Sequence, residues 1–191
     1  MILLTGFGPF PGVTETPSGT LAESLAAVPP VGLRLAGVVL PVSFASVPGA
    51  LADFLAVERG VAPRLLLSMG VHPGDGFRLE RRARARPSSD KVDDSGEVGA
   101  GFQSDRERVT TLDLERLATK LAAVAAPMGG IRVSEDAGGY VCDWTYQQLL
   151  QHAERLGVPA LFLHVPSFAR VALGDQRRLV EQLLALLERA C

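Results

Sequence analysis

One cysteine stands where a nucleophile would be placed. It closes the stretch Ser134-Glu135-Asp136-Ala137-Gly138-Gly139-Tyr140-Val141-Cys142. The two glycines make a turn, and a helical pattern begins at once. Tyr146, Leu149, Leu150, Ala153 and Leu156 form one apolar face, and Gly157 with Pro159 closes the helix. Cys142 therefore falls at or near the first helical position. There the unpaired backbone N–H groups and the helix dipole favour negative charge. A thiol in that place is biased toward thiolate, the form that attacks carbonyl carbon, and the same N–H groups can receive the resulting oxyanion. On this reading Cys142 reacts with iodoacetamide well below about pH 8.

A thiol nucleophile needs a base, and His164 is the candidate. It lies 22 positions further on, across one helix and at the end of an apolar strand pattern. Imidazole takes and returns protons near neutral pH. An acid would fix its tautomer, and Glu80, on another strand, is placed for that. Each residue also has a plainer reading. Cys142 would be a small buried apolar residue, His164 a satisfied core histidine, and Glu80 a solvated charge at a sheet edge. Of the other histidines, His152 lies on the polar side of its helix, and His72, in a Gly/Pro loop, is placed to line a pocket.

Composition narrows the classes. The chain has 191 residues and a formal net charge of −2, with 47% hydrophobic and 21% charged residues. That is an ordinary globular balance for one domain spanning 1–191, with no electrostatic case for nucleic acid or an anionic membrane surface. No apolar run has the length of a membrane span, and no basic leader precedes Ile2. Two cysteines, Cys142 and Cys191, make no disulfide framework, so a reducing, cytoplasmic setting is expected. The histidines and cysteines lack paired ligand spacing, so no metal site is expected.

The elements that would position these side chains alternate in type. Ile2 to Thr5 reads as a buried strand ended by Gly6. Pro17 opens a helix through about Ala27. A strand follows over 35–42, a helix from Ser46 or Val47, and a strand over 65–69 ending at Gly70. This β-α-β-α-β order, with continuously apolar strands, predicts an α/β fold: a single three-layer α/β/α domain around a central twisted, mostly parallel sheet. Active groups in such sheets gather where strands run out into loops. The arginine-rich run Phe77 to Arg86 reads as an exposed or edge strand. Residues 87–108 have no period and read as a long polar loop, of the kind that is functional or mobile. A helix is expected over 112–126, a short strand over 131–133, a strand over 160–166 and a last helix from about Asp175. The early loop Gly6-Phe7-Gly8-Pro9-Phe10 holds two phenylalanines that either pack on the core or wall a pocket for a flat, neutral group.

With these residues in view, the chain resembles the pyroglutamyl peptidase I family. Ser134 through Tyr146 is similar to its active-site signature: Ser, two residues, Ala-Gly, one residue, Tyr, one residue, Cys. Thr5-Gly6-Phe7-Gly8-Pro9-Phe10 with Pro17-Ser18, Leu40-Pro41-Val42 with Phe44, Glu80-Arg81-Arg82-Ala83 and Leu163-His164-Val165-Pro166 resemble further family segments, in the family's order. The resemblance implies a cysteine exopeptidase that removes N-terminal pyroglutamate from peptides. It implies Cys142 as nucleophile, His164 as general base and acid, and Glu80 as the orienting acid. It also implies Phe7 and Phe10 as walls for the lactam ring, Gly70 and Val71 as backbone contacts, a homotetramer and no cofactor. The chain departs from the pattern at Thr16, at Asp143 in place of the usual Asn, and at Gly70-Val71-His72-Pro73-Gly74-Asp75 in place of Gly-Gln-Ala-Gly-Gly-Arg. These departures motivate an alternative, a lactam-binding or pyroglutamyl-peptide-binding relative with weak or no turnover. A third reading, a nucleoside phosphorylase on a similar scaffold, lacks a phosphate-binding glycine loop.

Overall fold

The computed structural model describes residues 1–9, 16–57 and 62–189. Its centre is a six-stranded sheet in the order β2-β1-β3-β8-β4-β7. The strands are β1 (Ile2–Phe7), β2 (Leu35–Leu40), β3 (Leu65–Val71), β4 (Phe77–Glu80), β7 (Ile131–Ser134) and β8 (Ala160–Val165). All neighbours run parallel except β4 and β8, which are antiparallel. A small antiparallel pair, β5 (Arg82–Ala83) and β6 (Arg108–Val109), stands apart from the sheet.

Helices cover both faces, as the apolar strands require. On one side Leu67, Leu79, Leu161 and Leu163 meet α1 (Pro17–Ala27), α3 (Leu114–Ala125) and α5 (Leu173–Glu188). On the other, Leu3, Leu66, Ala160 and Phe162 meet α2 (Val47–Val57) and α4 (Val141–Leu156). Alternation along the strands assigns the faces: Leu161, Leu163 and Val165 enter the first core, while Ala160 and Phe162 enter the second. His164 therefore rises on the α2/α4 face.

The expected three layers are present, and the helix ends have local causes. Pro17 occupies the first turn of α1, where a missing N–H costs nothing. Asp113 caps α3 by accepting from Arg116 N–H at 3.0 Å. Gly157 closes α4 in the left-handed conformation, φ 68°. No described helix is long and apolar enough to cross a membrane.

Three segments differ from expectation. β1 does not stop at Gly6 but continues to Phe7. A side chain at Gly6 would overlap the Ser18 carbonyl, so the glycine lets α1 lie directly on the strand rather than ending it. The arginine-rich run is not an edge strand. Its first part, β4, is internal, between β8 and β7, with Phe77 and Leu79 buried. Its arginines beyond Glu80 leave the sheet and pair with acids: Arg81 with Glu115 and Glu135, Arg82 with Glu107 and Glu135. The long segment 87–108 is organised around Asp93, whose carboxylate accepts from the N–H groups of Phe44, Ser95 and Glu97.

Candidate active site

The C-terminal ends of β3 and β8 meet the N-terminus of α4. Cys142 is the second residue of α4, after Tyr140 at the cap and Val141. No side chain caps this terminus, so its first N–H groups have no side-chain acceptor among the described residues. Cys142 Sγ lies against Gly70: a Cβ built there would stand 2.8 Å from the sulfur and 2.9 Å from the Phe162 ring. Only a residue without a side chain lets the helix terminus come down onto the sheet at this point.

Gly70 is the ladder partner of His164 on the neighbouring strand. Thiol and imidazole thus approach the same spot on the sheet, one from above and one from the side. No hydrogen bond joins them among the described residues. The imidazole is placed by Glu80, whose Oε1 is 2.7 Å from His164 Nδ1. Glu80 faces Phe162 across the antiparallel β4–β8 ladder, and His164 faces Arg78. The two side chains are therefore diagonal neighbours on one face, a separation that long side chains bridge. Glu80 is fully buried, His164 is 5% exposed, and Glu80 Oε2 has no partner among the described residues. Tyr146 ties this strand to the cysteine helix, its hydroxyl donating to the Glu80 carbonyl at 2.9 Å. When Nδ1–H donates to the Glu80 carboxyl oxygen, Nε2 keeps a lone pair that can accept another proton.

The thiol itself departs from expectation. Burial pushes Cys142 up to about 12, with the charges of Glu80 and Asp143 adding to the effect and the thiol's own backbone N–H opposing it. The helix terminus does favour thiolate, but loss of hydration is the larger influence on a sulfur enclosed between α4, Gly70 and Phe162. Burial thus opposes the ionisation that the helix terminus favours, so labelling of this half-buried residue is expected to be slow at neutral pH and to rise with pH.

Two neighbours settle questions raised by the departures at Asp143 and at the Gly70–Asp75 loop. Asp143 is 1% exposed and is held by Arg84, through the backbone N–H at 3.0 Å and the guanidinium at 3.1 Å. His72 is a latch within its own loop. Its Nδ1 accepts from Gly74 N–H at 3.0 Å, so its Nε2 must be the protonated nitrogen, 2.9 Å from the Gly76 carbonyl. Burial first, then the charges of Arg78 and Arg132, lower His72 to about 4, against the Gly76 hydrogen bond. Its ring meets the His164 ring edge-on, with centroids 5.9 Å apart. Asp75, at the far end of the loop, pairs with Arg170.

The remaining sequence candidates divide. Phe7 is buried in the α2/α4 core at 6% exposure, at the end of the strand beside β3. Phe10 lies outside the described residues. Gly70 and Val71 belong to β3, and here the two ladders of that strand differ in length. Pairing with β1 ends at Thr5–Ser68, whereas pairing with β8 runs to Val71–Val165. The β1-facing backbone of the last β3 residues is left outside that ladder. Sequence reasoning missed the aromatic wall around the helix terminus. Phe44 stacks on Phe102 at 5.3 Å and meets Tyr140 edge-on at 5.5 Å, and Trp144 Nε1 donates to the Phe44 carbonyl. Their contacts are long-range, and no local period marks them. Two surface grooves, about 290 and 410 Å³, are lined by Leu112, Arg116 and Leu187 and by Pro63, Gly157 and Pro159 respectively. They open at the opposite end of the sheet and hold none of these residues.

Fold and site together place a cysteine at a helix N-terminus beside a hydrogen-bonded histidine–glutamate pair, at one end of a three-layer α/β domain. A family model described as pyroglutamyl peptidase matches residues 1–185. A pyrrolidone-carboxylate peptidase of Gloeobacter violaceus is 30% identical over 171 residues, covering 86% of this chain and 80% of the relative. Its counterpart in Clavibacter michiganensis is 30% identical over 183 residues, covering 92% and 83%. The crystal structure of a pyrrolidone carboxyl peptidase from Fervidobacterium islandicum superposes with a TM-score of 0.85 at 25% identity, over 98% of each chain. The chain belongs to the pyroglutamyl peptidase family.

Proposed function

We propose that the protein is a cysteine exopeptidase that hydrolyses the bond after an N-terminal pyroglutamyl residue, through Cys142, His164 and Glu80. The observation that carries this reading is the Glu80–His164 hydrogen bond of 2.7 Å beside the one glycine against which Cys142 Sγ is packed. The reaction divides into two transfers. His164 Nε2 takes the thiol proton as Sγ bonds to the pyroglutamyl carbonyl carbon. The oxyanion so formed is received by N–H groups at the start of α4. His164 then gives the proton to the departing amine, the C–N bond breaks, and a thioacyl-enzyme remains. Water, deprotonated by His164, attacks the thioester, and the thiol is regenerated as pyroglutamate leaves. Glu80 holds the tautomer and balances the imidazolium in both halves. Burial opposes ionisation of the thiol, so in this reading His164 takes the proton as the carbon–sulfur bond forms rather than resting as one half of an ion pair.

Selectivity for the lactam follows from its chemistry. The ring is small, flat and without a charged amine, so it needs apolar walls and a few directed hydrogen bonds. Phe7 supplies a wall in this reading, and so does Phe10. The β3 backbone at Gly70 and Val71, beyond the end of the β1 ladder, offers the lactam N–H and C=O their partners. Such bonds would reject proline, whose ring lacks the carbonyl. With this activity go a homotetramer and a reducing, cytoplasmic setting that keeps the thiol free.

The test is hydrolysis of pyroglutamyl-7-amido-4-methylcoumarin by the wild-type protein and by Cys142→Ala. Fluorescence release by the first and none by a folded second is the expected result; release by both would overturn the assignment of the nucleophile. The hydrogen bonds of the described residues join His164 to Glu80 and not to Cys142, which favours a second reading, in which pyroglutamyl peptides bind without turnover. Binding to wild type with no fluorescence release in reducing buffer would select it.

A further inference from the structure

Two arginines stand side by side next to the histidine without an anion between them. Arg78 is the ladder partner of His164, and Arg132 is the ladder partner of Arg78. In-register neighbours share a face of the sheet. Phe77, Leu79, Ile131 and Val133 go to the α1/α3/α5 core, so Arg78 and Arg132 rise on the face that carries His164 and Glu80. Neighbouring strands lie only about 4.8 Å apart, and like charges directly opposite one another are destabilising. Other arginines of this region are neutralised: Arg81, Arg82 and Arg84 each have two carboxylates. Among the described residues the side chains of Arg78 and Arg132 make no ion pair and donate no hydrogen bond; Arg132 is exposed, whereas Arg78 is half-buried and its Nε is buried without a partner. Asp136 is within electrostatic reach of Arg78 but makes no hydrogen bond to it; its Oδ1 accepts from Arg84 and from Gly138 N–H. A buried donor left without an acceptor is costly, so an acceptor of the protein's ligand is the natural complement.

The strand order tells which part of a ligand this would be. Cys142 covers Gly70 on β3, His164 follows on β8 and Arg78 on β4. The histidine thus stands between the thiol and Arg78. The imidazole hands its proton to the departing amine, so the residue carried by that amine continues past the imidazole, toward Arg78. His72, also beside Arg78 through the Gly74 turn, is kept neutral, and the charges on this end of the cleft are Arg78, Arg132 and Glu80, whose Oε1 is engaged by His164.

We propose that Arg78, seconded by Arg132, binds a carboxylate on the departing residue, either the free α-carboxylate of a pyroglutamyl dipeptide or the side chain of an acidic residue. The inference rests on the pyroglutamyl peptidase reading and adds a preference on the leaving-group side. A planar guanidinium fork matches a carboxylate in two parallel hydrogen bonds.

Four peptides separate the two sources: pyroglutamyl-alanine against its amide, and pyroglutamyl-glutamic amide against pyroglutamyl-glutamine amide. In wild type the carboxylate member of one pair is expected to have a kcat/KM about tenfold higher. The first pair would assign the α-carboxylate and the second the side chain. The ratio should fall toward one in Arg78→Gln, survive in part in Arg78→Lys, and shrink in wild type as salt is raised. Ratios near one for both pairs in wild type, or a preference unchanged by Arg78→Gln, would overturn the proposal. Should Arg78→Gln not fold, Arg132→Gln and the salt dependence give the same reading. Calorimetry on Cys142→Ala with the same peptides reads the ratios without turnover. Carboxylate-dependent binding alongside a wild type that hydrolyses no pyroglutamyl amide would reject the peptidase reading and keep the anion site; binding of neither pair member would overturn the anion site.

Discussion

The carboxylate of Asp143, next in sequence to Cys142, is held by Arg84 through both its backbone N–H, at 3.0 Å, and its guanidinium, at 3.1 Å. A buried acid beside a half-buried thiol opposes ionisation of both, and burial indeed raises Asp143 even against Arg84. The pair anchors the start of α4 to the chain just after β5, and it explains how an acid is tolerated at this position. Its charge still acts on the sulfur.

Asp143→Asn should therefore make Cys142 easier to ionise. The amide oxygen can keep the Arg84 N–H bond while the negative charge is gone. Iodoacetamide labelling of wild type should be slow at pH 7 and accelerate as pH rises, since a raised thiol pKa leaves little thiolate below it. In Asp143→Asn the same curve should shift to lower pH. Arg84→Met goes the other way, leaving a buried carboxylate short of one partner. It should lower unfolding free energy by roughly 1–3 kcal/mol in denaturant titration. An Asp143→Asn curve lying on the wild-type curve would show that burial alone sets the thiol.

Glu80→Gln tests the orienting role. The amide is nearly the same size, so the fully buried site should still fold. Its Nε2 can donate but its Oε1 is only one of two possible contacts, so the His164 tautomer is no longer enforced. kcat should fall by on the order of 10²–10⁴ while KM changes little. Circular dichroism and the melting temperature would report whether the fold is kept. A loss carried by KM alone would mean that Glu80 shapes the binding cleft and does not set the imidazole.

The elements around this site were unequally legible. The strands at 65–71 and 160–165 are apolar runs buried on both faces, and such runs announce a covered parallel sheet. The α4 helix announces itself by its period and its terminal glycine. β4 does not, because a four-residue strand flanked by arginines carries too short a pattern to outweigh its charge. Its placement comes from antiparallel pairing with β8, a contact between residues 84 positions apart in the case of Glu80 and His164. The thiol shows the same limit in electrostatics. Its helix-terminal position is local and readable, whereas the burial that outweighs it comes from Gly70 and Phe162 on distant strands. The Asp143–Arg84 pair, 59 residues apart, likewise has no local signature.

Gly70→Ala tests the close approach of α4 to the sheet. The added methyl would stand 2.8 Å from Cys142 Sγ and 2.9 Å from the Phe162 ring, inside van der Waals contact for both. The helix terminus or the ring must then move. Overpacking of this kind costs about 1–3 kcal/mol, and displacement of the sulfur from His164 should remove most activity. The measurement is the specific activity and melting temperature of Gly70→Ala beside Gly174→Ala, where a Cβ meets nothing within 4 Å. Full activity in the first variant would mean that the approach seen in the free protein is not needed for the reaction.

His72 gives the protein a pH-dependent latch on the loop between β3 and β4. Its folded-state value, about 4, lies below the ordinary 6.5, so the unfolded chain binds a proton over this range and the folded chain does not. Stability from this group is complete above about pH 6.5 and declines as pH falls toward about 4, by up to one proton's linkage per pH unit. Protonating Nδ1 would also remove the acceptor of Gly74 N–H, freeing the turn that lies against Arg78. Melting temperatures of wild type and His72→Gln, taken from pH 7 to pH 4, should converge as pH falls. The variant starts lower, having lost part of the latch, but lacks the titration that erodes the wild type. Carboxylates common to both proteins cancel in the difference, and parallel curves across this range would show that folding does not lower His72.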